Sequence, residues 1–357
     1  MQSQSIAVLL SGGVDSSIAL HLLQQQGHRI QAFYLKVWME EDTPFGDCPW
    51  QEDVRYVEKV CSQLNVPFEI VPMQREYWDR VVAYTLAEVS VGRTPNPDMM
   101  CNQLVKFGAF DEKYGKEFDR IASGHYARTR LDETGRVHLL TSQDNKKDQT
   151  YFLSQMRREQ LARALFPIGD LTKAQVRERA AALHLATSDR PDSQGICFLG
   201  KINYRDFLAR HVGRKKGKIV ERSTGNILGD HDGFWFYTIG QRFGLRLAGG
   251  PWFVVDKEGE SNTVFVAHGR DPEEVYCDRI DVTAFNWINP LIAAQQPNSV
   301  PIRFKIRHAP EFFTGRVELQ GNDSLTIYPD AKIAGVAKGQ FAVLYQDQEC
   351  LGGGVIS

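Results

Sequence analysis

Ile6 to Leu10 is an unbroken apolar run of strand length that stops at Gly12-Gly13, and Ser16 to Gln26 then sets Ile18, Ala19, Leu22 and Leu23 on one face of a helix. Ile30 to Trp38 reads as a second strand, Gln51 to Leu64 as a helix and Phe68 to Val71 as a third strand. The alternation predicts an α/β fold whose parallel sheet is covered by helices on both faces. Phe118 to Ala122 is a further strand that runs directly into Gly124-His125-Tyr126. Ligands of such sheets sit at the carboxyl ends of the strands, so the residues after β-segments carry the first candidate chemistry.

The texture changes near Lys201. From there Lys201, Arg205, Arg210, Arg214, Lys215, Lys216, Lys218 and Arg222 face only Asp206 and Glu221, a basic stretch. Short strands are then predicted at Phe234 to Ile239, Trp252 to Asp256 and Thr263 to Ala267, separated by glycines. Val300 to Ile306, Phe313 to Leu319, Ser324 to Tyr328 and Phe341 to Tyr345 follow at regular spacing, the pattern of a small β-barrel. We therefore expect three units: 1–204, a parallel-sheet domain; 205–274, a small central domain; and 275–357, a β-barrel.

Composition narrows the class without naming a function. The chain has 357 residues, 42% hydrophobic and 24% charged, with a formal charge of −2, so any nucleic-acid contact must come from local patches rather than the total. The start has no basic segment before its apolar run, and no apolar run reaches membrane-spanning length, which predicts a cytoplasmic protein. Cys48, Cys61, Cys101, Cys197, Cys277 and Cys350 are scattered without a CxxC pair, so neither a zinc site nor a disulfide framework is expected.

Ser11-Gly12-Gly13-Val14-Asp15-Ser16-Ser17 follows a strand and opens a helix, where backbone amides and the positive helix end cradle phosphate. The string lacks the Gly-Lys-Ser/Thr ending that serves γ-phosphate transfer, which favours attack at the α-phosphate. It resembles the PP-loop of the ATP pyrophosphatases. Cys101 and Cys197 lie among polar and turn-forming residues, where a thiol has access to its thiolate. Cys61, Cys277 and Cys350 read as core cysteines, and Cys48, in a proline-containing loop, less clearly so.

GRTPNPDMMCN, ASGHYAR, KKDQTYFL, DSQGICF, TIGQRFGL and PWFVVDK stand in one order along nearly the whole chain. In that order and spacing the chain resembles the bacterial tRNA-specific 2-thiouridylase family. The resemblance implies a PP-loop domain, a central domain and a C-terminal barrel, acting together to replace the C2 oxygen of the wobble uridine by sulfur in Lys, Glu and Gln tRNAs. It implies ATP contacts at Leu9, Leu10, Ser11, Gly12, Gly13, Val14, Asp15, Ser16, Leu35 and Gly124. The chain departs from the family's frequent Gly-Met at Leu9-Leu10, where backbone groups still serve. Cys197 is implied as the persulfide carrier, Cys101 as the partner nucleophile able to form a disulfide with it, and Asp98 as the acid/base. Asn96, Pro97 and Asp98 are implied at the target base, with Lys147, Asp148, Gln149, His125, Arg307, His308 and Gln340 at the tRNA. Mg²⁺ is expected with ATP, although no ligand set is readable, and a cysteine desulfurase or a sulfur-relay protein is implied as donor.

The chemistry fits these parts. A carbonyl oxygen leaves poorly until it is adenylated, and a persulfide delivers sulfur most simply where a second thiol closes a disulfide. Two other classes remain open to the sequence: a PP-loop synthetase acting on a small metabolite, which has no need of two thiols, and an RNA-binding module, which leaves SGGVDSS idle. The basic stretch predicts salt-sensitive tRNA binding.

Overall fold

The computed structural model describes residues 3–37, 49–192, 203–269, 272–290 and 300–357. Five parallel strands form the first sheet in the order β3-β2-β1-β4-β7, with β1 at Ser5–Leu9, β2 at Arg29–Lys36, β3 at Phe68–Pro72, β4 at Arg120–Ser123 and β7 at Ala164–Leu165. β1 is buried along its whole length because each face meets a separate core. Ile6 and Val8 pack with Leu20, Leu23 and Val57, from helices α1 (Val14–Gln25) and α2 (Pro49–Leu64). Ala7 and Leu9 join Phe33, Val71 and Tyr77 on the other side. The chain leaves β1 towards β2 and β3 and returns to β4 on the opposite flank. The crevice between the ends of β1 and β4 is thus the switch point of the sheet.

The second core is covered by α3, residues 74–90, and α4, residues 97–113, each helical throughout with a π-helical middle at Trp78–Val82 and Cys101–Ala109. A hairpin of β5 (Ala127–Leu131) and β6 (Val137–Thr141) then leaves the parallel sheet. β6 pairs with β19 (Glu349–Ile356), so the first unit lends two strands to the last. That pairing was not expected from the sequence, because the hairpin's alternating pattern does not say which sheet it joins.

The central unit is a sheet ordered β10-β11-β8-β9, with β8 at Gly217–Glu221, β9 at Ile227–His231, β10 at Trp252–Glu258 and β11 at Thr263–His268. The strand expected at Phe234 to Ile239 is instead a 3₁₀ turn at Phe234–Phe236. Its aromatic run fills the core under the sheet, with Phe234 and Tyr237 buried against Ile219 and Val254, so tertiary burial overrides its strand propensity.

In the last unit β12 (Tyr276–Cys277) pairs with β17 (Ile333–Ala334) beside a closed barrel of six strands. These are β13 (Ile280–Trp287), β16 (Leu325–Pro329), β15 (Phe313–Leu319), β14 (Val300–Lys305), β18 (Phe341–Gln346) and β19, with β13 pairing β19 to close the ring. The barrel is pinned to the first unit by Gln155 Nε2 donating to the Gly353 carbonyl at 2.6 Å and Asn286 Nδ2 to the Ser154 carbonyl at 2.9 Å. Among the described residues no helix is long and apolar enough to cross a membrane.

Candidate active site

The Ser11 to Ser17 loop fills the switch-point crevice. Helix α1 begins at Val14 with Gly13 as its backbone cap, two residues earlier than the sequence pattern suggests. Ser16 and Ser17 lie within the first turn, and their hydroxyls donate back to the Gly13 carbonyl at 3.1 and 2.9 Å. No side chain caps the helix. The first-turn amides have no intrahelical acceptors, so this end is fitted to an anion. Gly12 has φ +75° in the left-handed region, and a Cβ there would meet Arg190 Nη1 at 2.6 Å and the Asp53 carbonyl at 2.7 Å. Gly124, just after β4, is pressed on the same turn: its Cβ would stand 2.5 Å from Ser16 N. Leu9 and Leu10 are buried under the loop, and Leu35 is half-buried on β2 in register with Val71.

Charges surround this loop, and of them Lys173, Arg177, Arg190 and Asp53 were not singled out from the sequence. Lys173 Nζ donates to both oxygens of Asp15 at 2.8 Å and lies 2.8 Å from Asp192 Oδ1. Arg177 donates to Asp192 at 2.6 Å, and Lys147 to its other oxygen at 2.8 Å. Burial pushes the Asp192 carboxyl up, but the hydrogen bonds from Lys147, Lys173 and Arg177 outweigh it and hold the group well below the usual carboxylate range. Arg190 donates to the Gly12 carbonyl at 2.6 Å and pairs with Asp53. Lys173 and Arg177 sit four residues apart on one face of helix α5 (Lys173–Ala182), the one signal that could have found them.

The KKDQTYFL segment closes the constellation. Gln149 exchanges hydrogen bonds with the backbone of Tyr126, at 2.8 and 2.9 Å, and the Tyr126 hydroxyl donates to Asp15 at 2.7 Å. Asp15, Lys173, Asp192, Lys147, Gln149 and Tyr126 therefore form a ring of contacts, closed through the chain at Asp148. The Asp148 side chain points the other way. Its carboxylate is buried with Lys305 of the barrel at 3.4 Å, the two side chains 2% and 1% exposed, and accepts from Ser142 N and Thr150 Oγ1. Burial lowers the Lys305 pKa, with Asp148 opposing. The Asp148 side chain is thus committed to the seam between the two units.

His125 stands two residues past the end of β4. Its ring is half-buried between Phe107 and Phe166, with Nδ1 2.8 Å from Ser123 Oγ, and burial holds its pKa well below the ordinary value, so the imidazole is neutral. His308 Nε2 lies 3.0 Å from the Asp148 carbonyl. Arg307 is exposed. Gln340 Nε2 donates to the carbonyls of Thr94 and Pro95 at 3.0 and 3.2 Å, so a barrel residue fixes the loop before α4. Asn96 caps that helix by accepting from Met99 N at 3.3 Å, with Pro97 at its first position.

Cys101 is the clearest correction. The sequence places it in a polar loop, but Pro97 to Met100 start a helix and carry Cys101 into the core, 3% exposed. Burial raises its thiol to about 11, with Asp98, one helical turn earlier, adding to the rise. We predict that Cys101 in the resting protein resists iodoacetamide at pH 8, gaining reactivity only as pH approaches 11 or on unfolding. Mass mapping of the alkylated cysteines checks this, and rapid labelling at pH 8 would refute the buried placement. Cys61, Cys277 and Cys350 are likewise raised by burial. Cys197 and Cys48 lie outside the described residues.

The basic stretch is weaker than its sequence. Arg214, Lys218 and Arg222 pair with Asp232, Asp230 and Asp256, and Arg205 lies over the Phe236 ring; Lys201 is outside the described residues.

Three family profiles cover this arrangement: the tRNA methyl transferase HUP domain at residues 4–201, the tRNA methyl transferase PRC-barrel domain at 205–268 and the aminomethyltransferase beta-barrel domain at 277–356. The tRNA-specific 2-thiouridylase MnmA of Parabacteroides distasonis is 48% identical over 353 residues, covering 98% of each chain. The chain belongs to the tRNA-specific 2-thiouridylase family. Another member, from Porphyromonas gingivalis, is 45% identical over 358 residues and 99% of each chain, and MnmA 2 of Bacteroides fragilis is 46% identical over 353 residues, 98% of this chain and 99% of its own. Against that family the ring around Asp15 is the part of this site that only the tertiary structure reveals.

Proposed function

We propose that the protein is an ATP-dependent tRNA sulfurtransferase that makes 2-thiouridine at the wobble position of Lys, Glu and Gln tRNAs. One observation carries the reading beyond kinship: Lys173 bridges Asp15 of the phosphate-cradling loop to Asp192, the first residue of the Asp192-Ser193-Gln194-Gly195-Ile196-Cys197 segment. Cys197 lies five positions further along the same segment, which ties the cysteine in sequence to the residue that pairs with the loop.

The α1 amides and Gly12-Gly13 hold the phosphates, with Leu35 and Gly124 at the nucleotide. The uridine O2 attacks the α-phosphorus and pyrophosphate leaves. The terminal sulfur of a Cys197 persulfide then forms the bond to C2 while AMP departs with the former O2. Cys101 displaces that sulfur from Cys197, leaving a Cys101–Cys197 disulfide that a thiol reductant reopens. Asp98, three residues before Cys101 on the same helix, takes the thiol proton of Cys101 in this reading. Mg²⁺ would be held by the phosphates: among the described residues no group of three carboxylate, histidine or cysteine ligands is gathered for it. A cysteine desulfurase or a relay protein supplies the sulfur.

Mass spectrometry of tRNA incubated with the protein, ATP, a cysteine desulfurase with cysteine as the persulfide donor, and a thiol reductant tests the reading. It should find 2-thiouridine, lost on Cys197→Ser, while ATP binding persists. Turnover of ATP with tRNA but no 2-thiouridine would refute it, and tRNA-independent turnover would point to a small-molecule synthetase.

A further inference from the structure

Thr238-Ile239-Gly240-Gln241-Arg242-Phe243-Gly244-Leu245 has no part in the site above, yet it is built to hold one shape. Gln241 staples it, accepting from Thr238 N at 3.0 Å and donating to the Phe243 carbonyl at 2.8 Å. Gly240 N donates to the Val254 carbonyl at 2.8 Å, Val254 N returns a bond to Gln241 at 3.0 Å, and Leu245 is buried in the central core. Between these anchors Phe243 stands 75% exposed, the most exposed large apolar side chain among the described residues, with the Arg242 guanidinium 4.7 Å from its ring centre. Arg246 is also exposed.

The loop's position gives this exposure a direction. A Cβ on Gly240 would lie 3.5 Å from the Gly335 Cα of the barrel, and one on Gly335 would lie 3.4 Å from Arg307 Nη1. The loop therefore continues the surface that bears Arg307. Among the described residues no carboxylate pairs with Arg242, Arg246 or Arg307, whereas three cations of the 201–222 stretch are paired. Positive charge left unpaired beside a rigid aromatic is the composition that binds unpaired nucleotides: the ring takes a base face, and guanidinium groups take phosphates or stack in turn. A protein partner would call for further apolar neighbours around the anchor, and within this loop Phe243 has arginine and glycine beside it.

We propose that this loop is a stacking finger for the substrate tRNA, with Phe243 lying on an unpaired nucleobase and Arg242 and Arg246 meeting the adjacent phosphates. The proposal rests on the tRNA reading above. The test is the affinity of the full-length protein for unmodified tRNA, by fluorescence anisotropy at several salt concentrations, with ATP affinity measured alongside. Phe243→Ala and Phe243→Leu should each weaken tRNA binding by on the order of tenfold. Phe243→Trp should restore it, because a larger π-face replaces the lost one. The double variant Arg242→Ala with Arg246→Ala should flatten the salt dependence. ATP affinity should not move in any of them. Phe243→Ala binding tRNA within twofold of wild type would overturn the finger while leaving the tRNA reading intact. Wild type that binds no tRNA would overturn both. Unchanged tRNA affinity with impaired uptake of sulfur from a desulfurase would overturn the RNA assignment and turn the loop towards the donor protein.

Discussion

Gly124→Ala is expected to lower kcat/KM for ATP turnover by on the order of a hundredfold, with tRNA affinity unchanged. The added Cβ would sit 2.5 Å from Ser16 N and 2.8 Å from Asp15 C and Ser16 Cα. All three are backbone atoms in the first turn of α1, so no flexible side chain yields, and the turn must retreat from β4 by about 1 Å, a shift of the size that costs reactivity when reacting groups are misplaced. Ser16 Oγ, bonded to Gly13, would carry the loop with it. The strain itself should cost about 1 to 3 kcal/mol of stability, the usual range for overpacking. Pyrophosphate release at varied ATP, with tRNA binding as control, checks the result. Turnover within threefold of wild type would mean that Gly124 does not set the position of the loop.

The largest stability effect is expected at the seam between units. Lys305→Met leaves the Asp148 carboxylate buried without its cation and should cost about 3 to 5 kcal/mol, the range for breaking a buried pair from one side. Pairing it with Asp148→Asn should recover much of that loss, because the charge that needed compensation is gone and one acceptor oxygen remains for Ser142 N or Thr150 Oγ1. The Lys305→Met protein should also lose tRNA affinity, since Lys147 and Gln149 flank Asp148 and their orientation depends on it. Denaturant unfolding of the single and double variants separates these effects. A single variant as stable as wild type would show that the pair is not desolvated in solution.

The two experiments probe the two ends of one connection. Asp148 joins the barrel at Lys305, and its neighbours reach Asp15 through Tyr126 on one side and through Asp192 and Lys173 on the other. The barrel at Lys305 and the Ser11 to Ser17 loop are therefore joined through one ring of contacts.

By itself the sequence determined the parallel sheet, because β1 is buried on both faces and its continuous apolar run, followed by alternating helix and strand patterns, says so without reference to anything distant. It also determined the loop at Ser11 to Ser17, whose chemistry is local to a strand, a turn and a helix start. The barrel's existence was legible in the spacing of its strands. The tertiary structure alone decided the rest. The hairpin of β5 and β6 joins the barrel because pairing partners are not encoded in periodicity. The aromatic run at Phe234 turns inward because the central core has room to bury it. Cys101, polar by its neighbours, is buried because Asn96 and Pro97 start a helix that the barrel's Gln340 holds in place. Lys173, Arg177 and Asp192 became part of the site only when folding brought them to Asp15: the four-residue spacing of Lys173 and Arg177 marks a shared helix face, but attraction between charges depends on distance in space, so that spacing does not name the carboxylates they meet.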